Sequence, residues 1–331
     1  MHRFVRCGIP TILPGLMIAF VLPAGCKNNG NPSSNTNANR AAPSNTSTTG
    51  GGETKGTHPS PPPRPPTISI IDAASSGNVN EIRSHIHWKS DLNQMGDTVE
   101  TPIMDRKKTP LALASEKGHT EIARLLLEAG AAVEARSKQG LTALQFAASS
   151  GHLDIVKLLV EHGADVNTLS DTASTPLQGA SLWGHKAIVS FLITRGASVN
   201  AKNRRGWGAI HKAVARGHLD VVKLLLDNGA DYRSVGSDGR GVLHWASMSD
   251  RPELVKLFLD KGLDINARSQ DGRTPLHYAV STNKKSNVEI LIARGADLDI
   301  TNNLGMSPLG QAVKDGHDEI AALLRKHGAS E

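Results

Sequence analysis

Histidine can act as a metal ligand or as a general acid and base near neutral pH, and this chain of 331 residues contains 14 histidines. Eight of them form two sets whose neighbouring members are 33 residues, or a multiple of 33 residues, apart. Whether these side chains can meet around a metal ion depends on the elements that carry them. Each member of the first set follows a glycine (His119, His152, His185, His218 and His317), and each member of the second follows Ile or Leu (His211, His244 and His277).

The second set belongs to a short cluster that recurs along most of the chain. The cluster is Thr-Pro-Leu-His at 274–277, and related sequences start at positions 109, 142, 175, 208, 241 and 307. Neighbouring starts are always 33 residues apart, and a fixed period of this length indicates an array of stacked repeats. Such an array buries one continuous core, so the length of the chain does not require several globular domains.

The repeat at 142–167 predicts two short helices joined by a turn. Thr142 is placed to cap the first helix, and alanines on that helix let a second helix approach closely. Gly151 turns the chain, and apolar residues between 155 and 159 form one face of the second helix. Gly163 ends this helix in the left-handed conformation, and an extended hairpin leads to the next repeat.

With this cluster, the Gly-His turns and the period of 33, the chain resembles the ankyrin-repeat family over about residues 68–331. The resemblance implies an all-α solenoid of helix-turn-helix units with β-hairpin loops. A degenerate copy begins near residue 73, and an insertion within 97–107 separates it from the regular repeats. We expect a signal peptide at 1–25, a disordered linker at 26–66 and an ankyrin-repeat domain of about eight repeats at 67–331, with the first and last as caps.

The resemblance implies a structural role for both histidine sets, because these positions form hydrogen bonds between repeats in ankyrin proteins. Residues 33 positions apart then lie about 10 Å from each other, whereas zinc ligands lie about 2 Å from their ion. The array contains no cysteine, no phosphate-binding loop and no His-Glu-x-x-His motif. We therefore expect no metal, no cofactor, no small-molecule substrate and no catalytic activity.

The first 25 residues have the pattern of a secretory signal peptide. Two arginines precede an apolar run at 9–22, which is too short to cross a membrane as a helix. The sequence Leu-Pro-Ala-Gly-Cys at 22–26 resembles the lipobox of bacterial lipoproteins, which implies lipidation of Cys26. Pro23 stands where that family favours leucine, and without lipidation Cys26 is an incidental thiol. In lipoproteins an aspartate after the cysteine favours the inner membrane, so the resemblance with Lys27 at that position implies the outer membrane, facing the periplasm or the cell surface.

Residues 27–66 are rich in Asn, Ser, Thr, Gly and Pro, which predicts a disordered linker. Six of the 37 basic residues and one of the 31 acidic residues lie in 1–66, which leaves 31 basic and 30 acidic residues in the array. The array therefore has no general basic face for phosphate backbones. We expect no nucleic-acid partner, and contact with a membrane only through the lipid anchor.

A repeat array offers a long concave face that suits the docking of another protein. In ankyrin proteins the contact positions are the end of the first helix and the hairpin before it, and here residue types enriched at binding hot spots fill them. Trp183 and Trp207 are the main candidates. The contact positions include residues at first-helix ends (Glu116, Lys117, Leu182, Trp183, Arg216, Met248), in hairpins (Leu141, Arg204, Arg205, Trp207, Arg240, Arg273) and at one shared first-helix position (Trp245, with Phe146 and Tyr278).

These expectations favour a non-catalytic module, lipid-anchored in a bacterial envelope, that binds an unidentified protein through the concave face. The alternative is an inhibitor or immunity protein that neutralises a toxin or an enzyme.

Several residues depart from the repeat pattern. Lys107 and Ala173 replace the hairpin glycine, and Asp250-Arg251 and Asn283-Lys284 replace the Gly-His turn. Ala173 stands where most hairpins have glycine, so we expect an altered turn there. Asn287 stands where the other second helices carry an apolar residue, so we expect the repeat at 274–306 to be locally less stable.

Overall fold

The computed structural model describes residues 64–96 and 107–330. The signal peptide, Cys26 and the linker up to residue 63 lie outside the described residues, and so does most of the expected insertion. The described residues contain sixteen helices and no named strand, which confirms the all-α prediction.

The sixteen helices form eight pairs, in which the first helix has seven or eight residues and the second has nine. The first helices are α1 (Ile70–Ser76), α3 (Pro110–Lys117), α5 (Ala143–Ser150), α7 (Pro176–Leu182), α9 (Ala209–Ala215), α11 (Val242–Met248), α13 (Pro275–Ser281) and α15 (Pro308–Asp315). The second helices are α2 (Val79–His87), α4 (Thr120–Glu128), α6 (Leu153–Glu161), α8 (Lys186–Thr194), α10 (Leu219–Asp227), α12 (Pro252–Asp260), α14 (Lys285–Ala293) and α16 (Asp318–Lys326).

The period of 33 predicts the start of every first helix from α3 onwards. Each helix begins one residue after a recurring Thr, Gly or Ser. The cap predicted at Thr142 does not form, since its buried side-chain oxygen has no hydrogen-bond partner within the described residues. Thr175 does cap α7, because its side-chain oxygen accepts the N–H of Gln178 at 3.2 Å. Gly208 has no side chain to cap α9, and instead its own N–H donates to Nδ1 of His211 at 3.3 Å.

The loops between pairs have the hydrogen bonds of hairpin turns without forming strands. In one loop the N–H of Asn203 donates to the carbonyl of Trp207 at 3.1 Å, and the N–H of Gly206 donates to the carbonyl of Asn203 at 2.8 Å. The extended parts are short, and within residues 64–96 and 107–330 the only isolated β-bridge joins Gly96 and Lys108.

The first helices form one row and the second helices another, and neighbours in the first row pack more closely. Fully buried alanines make this approach possible: Ala147, Ala180, Ala213, Ala246 and Ala279. Because the first row is the tighter one, it forms the inner side of the array. We call the solvent-facing side of the first helices, together with the hairpin turns that precede them, the first-helix face. No helix in the described part of the chain combines the length and apolarity needed to cross a membrane.

The expectation of an altered turn at Ala173 is wrong. Ala173 has a φ of 57°, and its N–H donates to the carbonyl of Ser170 at 2.8 Å. The equivalent Gly206 has a φ of 75° and the same hydrogen bond within its turn. Ala173 therefore adopts the glycine turn, in a backbone region that disfavours a side chain.

Asn287 is buried and hydrogen-bonded, which differs from the expectation that it makes its repeat locally less stable. It is 1% exposed, and its Nδ2 donates to the carbonyls of Ser247 at 2.9 Å and Ser249 at 2.8 Å. These carbonyls belong to the end of α11 in the preceding repeat, which the histidine of the following turn would bond, but Asn283 and Lys284 replace Gly-His in that turn. The amide of Asn287 thus ties two repeats together at a point where the histidine link is missing.

Candidate protein-binding site

Four histidines of the first set link consecutive repeats. In each, Nε2 donates to a carbonyl near the end of the preceding first helix at 3.1 Å. The ring also lies against the glycine of the preceding turn, where a Cβ would come unacceptably close. For example, a Cβ on Gly151 would lie 2.7 Å from Cε1 of His185. The four donor–acceptor pairs are His119–Ser75, His152–Glu116, His185–Ser149 and His218–Leu182.

The second histidine set links each first helix to the loop that follows its repeat. Nε2 of His211 donates to the carbonyl of Ser234, and Nε2 of His277 donates to that of Met306, both at 3.0 Å. Burial lowers the pKa of His211, His244 and His277, so these side chains are neutral near pH 7. Two other repeats use glutamine at this position, Gln145 and Gln178, and both amides donate to carbonyls of the following loop.

The histidines are therefore parts of the scaffold. Seven of the eight form the expected bonds between repeats, while His317 in the last repeat forms none within the described residues. Residues 64–96 and 107–330 also contain no group of three or more His, Cys, Asp or Glu side chains that could hold a metal ion.

Trp207 and Trp245 are core residues, which differs from the expectation that both rings are open to a partner. Trp207 is 4% exposed and Trp245 is 7% exposed. Their rings meet edge to face, with centroids 5.1 Å apart and planes at 83°. The indole nitrogen of Trp207 lies so close to Gly236 that a Cβ there would be 2.1 Å away. A partner can therefore sense these two rings only through the side chains that cover them.

Cationic side chains cover the buried rings. The guanidinium of Arg205 lies 5.4 Å, and Nζ of Lys212 lies 4.9 Å, from the ring centroid of Trp207. Arg240 lies 4.2 Å from the centroid of Trp245 and also forms an ion pair with Asp238 at 2.5 Å. A cation over an aromatic face contributes about 0.5–1 kcal/mol at exposed sites.

Trp183 remains accessible, as predicted for a contact residue. It is half-buried at the end of α7, and the guanidinium of Arg216 lies 5.2 Å from its ring centroid. Leu182 and Met248, at the ends of α7 and α11, are also half-buried, and Met248 packs against the core. The first-helix ends thus offer apolar surface beside a cation.

The two hairpin arginines Arg204 and Arg205 are exposed. The backbone N–H of Arg204 donates to the carbonyl of Thr172 at 3.1 Å, which fixes the turn and leaves the side chain outside. Contact of any predicted residue with a partner stays a prediction. Their exposure makes Trp183, Arg204 and Arg205 better candidates for that contact than the buried Trp207 and Trp245.

Sequence reasoning missed Lys212. It lies four residues before Arg216, so both side chains project from the same side of α9. Lys212 also occupies the repeat position that holds Trp245 and Tyr278 in the next two repeats, 33 and 66 residues later. Alignment of the repeats by their period would have revealed a lysine in an aromatic position.

Comparison with known families finds the ankyrin repeats family in three copies, at residues 70–170, 167–236 and 243–331. One curated relative is the ankyrin repeat and KH domain-containing protein mask-1 of Caenorhabditis elegans, which is 46% identical over 48 residues. That match covers 14% of this chain, and the chain spans only 2% of the length of that relative. The family matches cover most of the chain and agree with the eight helix pairs. The chain belongs to the ankyrin-repeat family, whose repeats form a protein–protein interaction module.

Proposed function

We propose that this chain is a lipid-anchored protein of a bacterial envelope that binds another protein through the first-helix face of its central repeats. One observation carries the binding proposal. Half-buried Trp183 lies on that face beside Arg216, and neither Arg216 nor the neighbouring Lys212 forms an ion pair within the described residues. Tryptophan and arginine are among the residue types most enriched at binding hot spots, and a cation without an ion pair is available to a carboxylate of a partner.

The anchor proposal depends on the leader alone. A basic start, a short apolar run and Cys26 after Ala24 and Gly25 have the order of a lipoprotein signal. The polar and Pro-rich segment at 27–66 would then act as a spacer that holds the array away from the membrane. Acyl chains contribute about 0.8 kcal/mol for each buried methylene, so several chains give a stable anchor.

The binding proposal is tested by capture from envelope extract with three forms of the full chain. Trp183→Ala should lose the partner that the parent retains, because it removes the ring without opening the core. Arg195→Ala is the matched control. Arg195 also lies over an aromatic ring, at 4.8 Å from the centroid of Phe191, but at the end of second helix α8. If Trp183→Ala retains the partner as well as the control does, the proposed face is wrong.

The anchor proposal is tested by fractionation of cells that express the full chain. Cys26→Ser should move the protein from the membrane fraction to the soluble fraction, since serine cannot form the thioether. Equal membrane association of Cys26→Ser and the parent would contradict a lipid anchor at Cys26.

The same captured partner separates a scaffold from an inhibitor. If the partner is an enzyme or a toxin, its activity is measured with and without an excess of the array. Loss of activity that Trp183→Ala abolishes would assign the chain an inhibitory function, and unchanged activity would assign it a scaffolding function.

A further inference from the structure

Three cations on the first-helix face form a continuous cluster around one repeat. Arg205 lies in the hairpin turn, and Lys212 and Arg216 follow along α9 and at its end. Arg205 and Lys212 share the ring of Trp207, and Arg216 covers the ring of Trp183. We call Arg205, Lys212 and Arg216 the cation cluster.

No residue of the cation cluster forms an ion pair in the described part of the chain. Arginines at neighbouring hairpins do: Arg240 pairs with Asp238 at 2.5 Å, and Arg273 pairs with Asp271 at 3.3 Å. Burial, followed by the positive charges of Arg205 and Arg216, lowers the pKa of Lys212 below its ordinary value. The ammonium group of Lys212 therefore lies among cations, partly removed from water and without a counter-charge.

The repeats themselves show that this cluster is a local departure. Arg205 occupies the hairpin position that holds Asp238 and Asp271 in the next two repeats, where each aspartate neutralises an arginine two residues later. Lys212 occupies the aromatic position of those repeats, and Arg216 that of Ser249. At all three positions this repeat has a cation where the next two repeats have an acidic or neutral side chain. Like charges four residues apart on one side of a helix repel each other, so helix stability does not account for the pair of Lys212 and Arg216.

We infer that the cation cluster binds the carboxylates of a short acidic protein segment that lies across the first-helix face at α7, α9 and α11. This inference rests on the proposed function and names the chemistry of the partner. Three unpaired cations supply the charge complement, and half-buried Trp183 and Met248, at the ends of α7 and α11, supply apolar contacts on either side of Arg216. Charge complementarity of this kind sets specificity and the association rate.

The extent of the cluster favours a protein segment over nucleic acid. A nucleic-acid backbone carries its charges along its whole length and requires cations along a whole face. Here the neighbouring hairpins present the carboxylates of Asp238 and Asp271, and the array as a whole has 31 basic against 30 acidic residues. The cations are therefore concentrated at one repeat, which matches a short acidic segment.

Fluorescence anisotropy with the full chain and a labelled short poly-glutamate peptide tests the inference at low salt, where screening is weak. Lys212→Met keeps an apolar stem over Trp207 and removes the charge, and Arg216→Ser introduces the residue type of Ser249. Each should weaken binding by about tenfold, while Arg195→Ala should leave it unchanged. The thermal midpoint of Lys212→Met should equal or exceed that of the parent, which shows that lost binding is not lost folding.

Three results would overturn the inference. They are no saturable binding of poly-glutamate, equal binding by the parent, Lys212→Met and Arg216→Ser, or equally tight binding of a short oligothymidylate through the same residues. The envelope capture separates this failure from failure of the proposed function. If Trp183→Ala loses the partner but Lys212→Met and Arg216→Ser keep it, the first-helix face binds the partner but the acidic-segment inference is wrong. If all three variants keep the partner, the proposed function of the face is wrong as well.

Discussion

Asn287 donates a hydrogen bond from Nδ2 to the carbonyl of Ser249, at 2.8 Å, across the boundary between two repeats. The same Nδ2 lies 2.9 Å from the carbonyl of Ser247. Repeats elsewhere are joined at this boundary by a histidine, as His218 joins Leu182. An asparagine in a second helix has therefore taken over the function of a missing histidine in a turn.

Asn287→Ala should lower the free energy of unfolding by about 2–3 kcal/mol, because it leaves buried carbonyls without their donor. Asn200→Ala is the matched control. Asn200 also bonds twice to the next repeat, to the carbonyl of Gly229 at 3.0 Å and the N–H of Asp231 at 2.7 Å, but it is exposed. The control should cost about 1 kcal/mol or less in urea unfolding. Equal losses of unfolding free energy for the two variants would contradict the conclusion that the buried amide of Asn287 joins the two repeats.

Ala173→Gly should stabilise the array by about 0.5–1 kcal/mol. The substitution removes the penalty of a left-handed alanine, about 1–2 kcal/mol, and loses part of that gain to the greater freedom of glycine in the unfolded chain. Gly305→Ala is the reverse control at the equivalent turn, with a φ of 73° and no atom within 4 Å of the added Cβ. It should destabilise by a similar amount in the same denaturant titration. A Gly variant less stable than the parent would show that the turn favours alanine for another reason.

Stability should fall as the pH drops below about 6.5, and the second histidine set should supply part of this loss. Burial lowers the pKa of His211, His244 and His277 in the folded state, whereas the unfolded chain takes up protons at about pH 6.5. Below that pH the unfolded state binds more protons than the folded state, so folding becomes less favourable.

The chain itself offers the replacement that tests this dependence. Gln145 and Gln178 occupy the same repeat position and keep the bond to the following loop without a titrating group. A variant with His211→Gln, His244→Gln and His277→Gln should unfold at a denaturant midpoint that depends less on pH between about 7.5 and 5.5. If the midpoints of this variant shift with pH as much as those of the parent, the second histidine set does not contribute to the pH dependence of stability.

Trp207→Ala and Trp183→Ala should differ sharply in stability. Trp207 is 4% exposed and packs against Trp245, so its truncation should cost about 3–5 kcal/mol. Trp183 is half-buried at a helix end, and its truncation should cost about 1 kcal/mol or less. Thermal or urea unfolding of the two variants checks this order. A larger loss of unfolding free energy for Trp183→Ala than for Trp207→Ala would contradict the burial of Trp207 and make it a candidate contact residue again.

The repeat period predicted the starts of the first helices, and the resemblance to ankyrin repeats implied the bonds of seven of the 14 histidines, because both depend on local positions that recur every 33 residues. The period could not predict which way a ring in a hairpin turns. Trp207 follows the hairpin glycine, and only contact with Trp245 and Gly236, in the next repeat, decides that it is buried. Sequence reasoning placed it outside because it treated the hairpin as surface.

The departures from the pattern were harder to interpret than the pattern. Asn287 was read from its own helix alone, whereas its partners are carbonyls 38 and 40 residues earlier in the chain. Lys212 escaped notice because lysine on a helix is ordinary, and its meaning depends on the aromatic residues at the same position in other repeats. Long-range contacts of this kind require the packed structure.

We propose that the first-helix face around Trp183 and the cation cluster binds a protein. The most direct measurement is the dissociation constant of the captured partner for the full chain, for Trp183→Ala and for Arg195→Ala, by titration calorimetry. We expect binding at least about tenfold weaker for Trp183→Ala, and unchanged binding for Arg195→Ala. Equal dissociation constants for Trp183→Ala and the parent would contradict it.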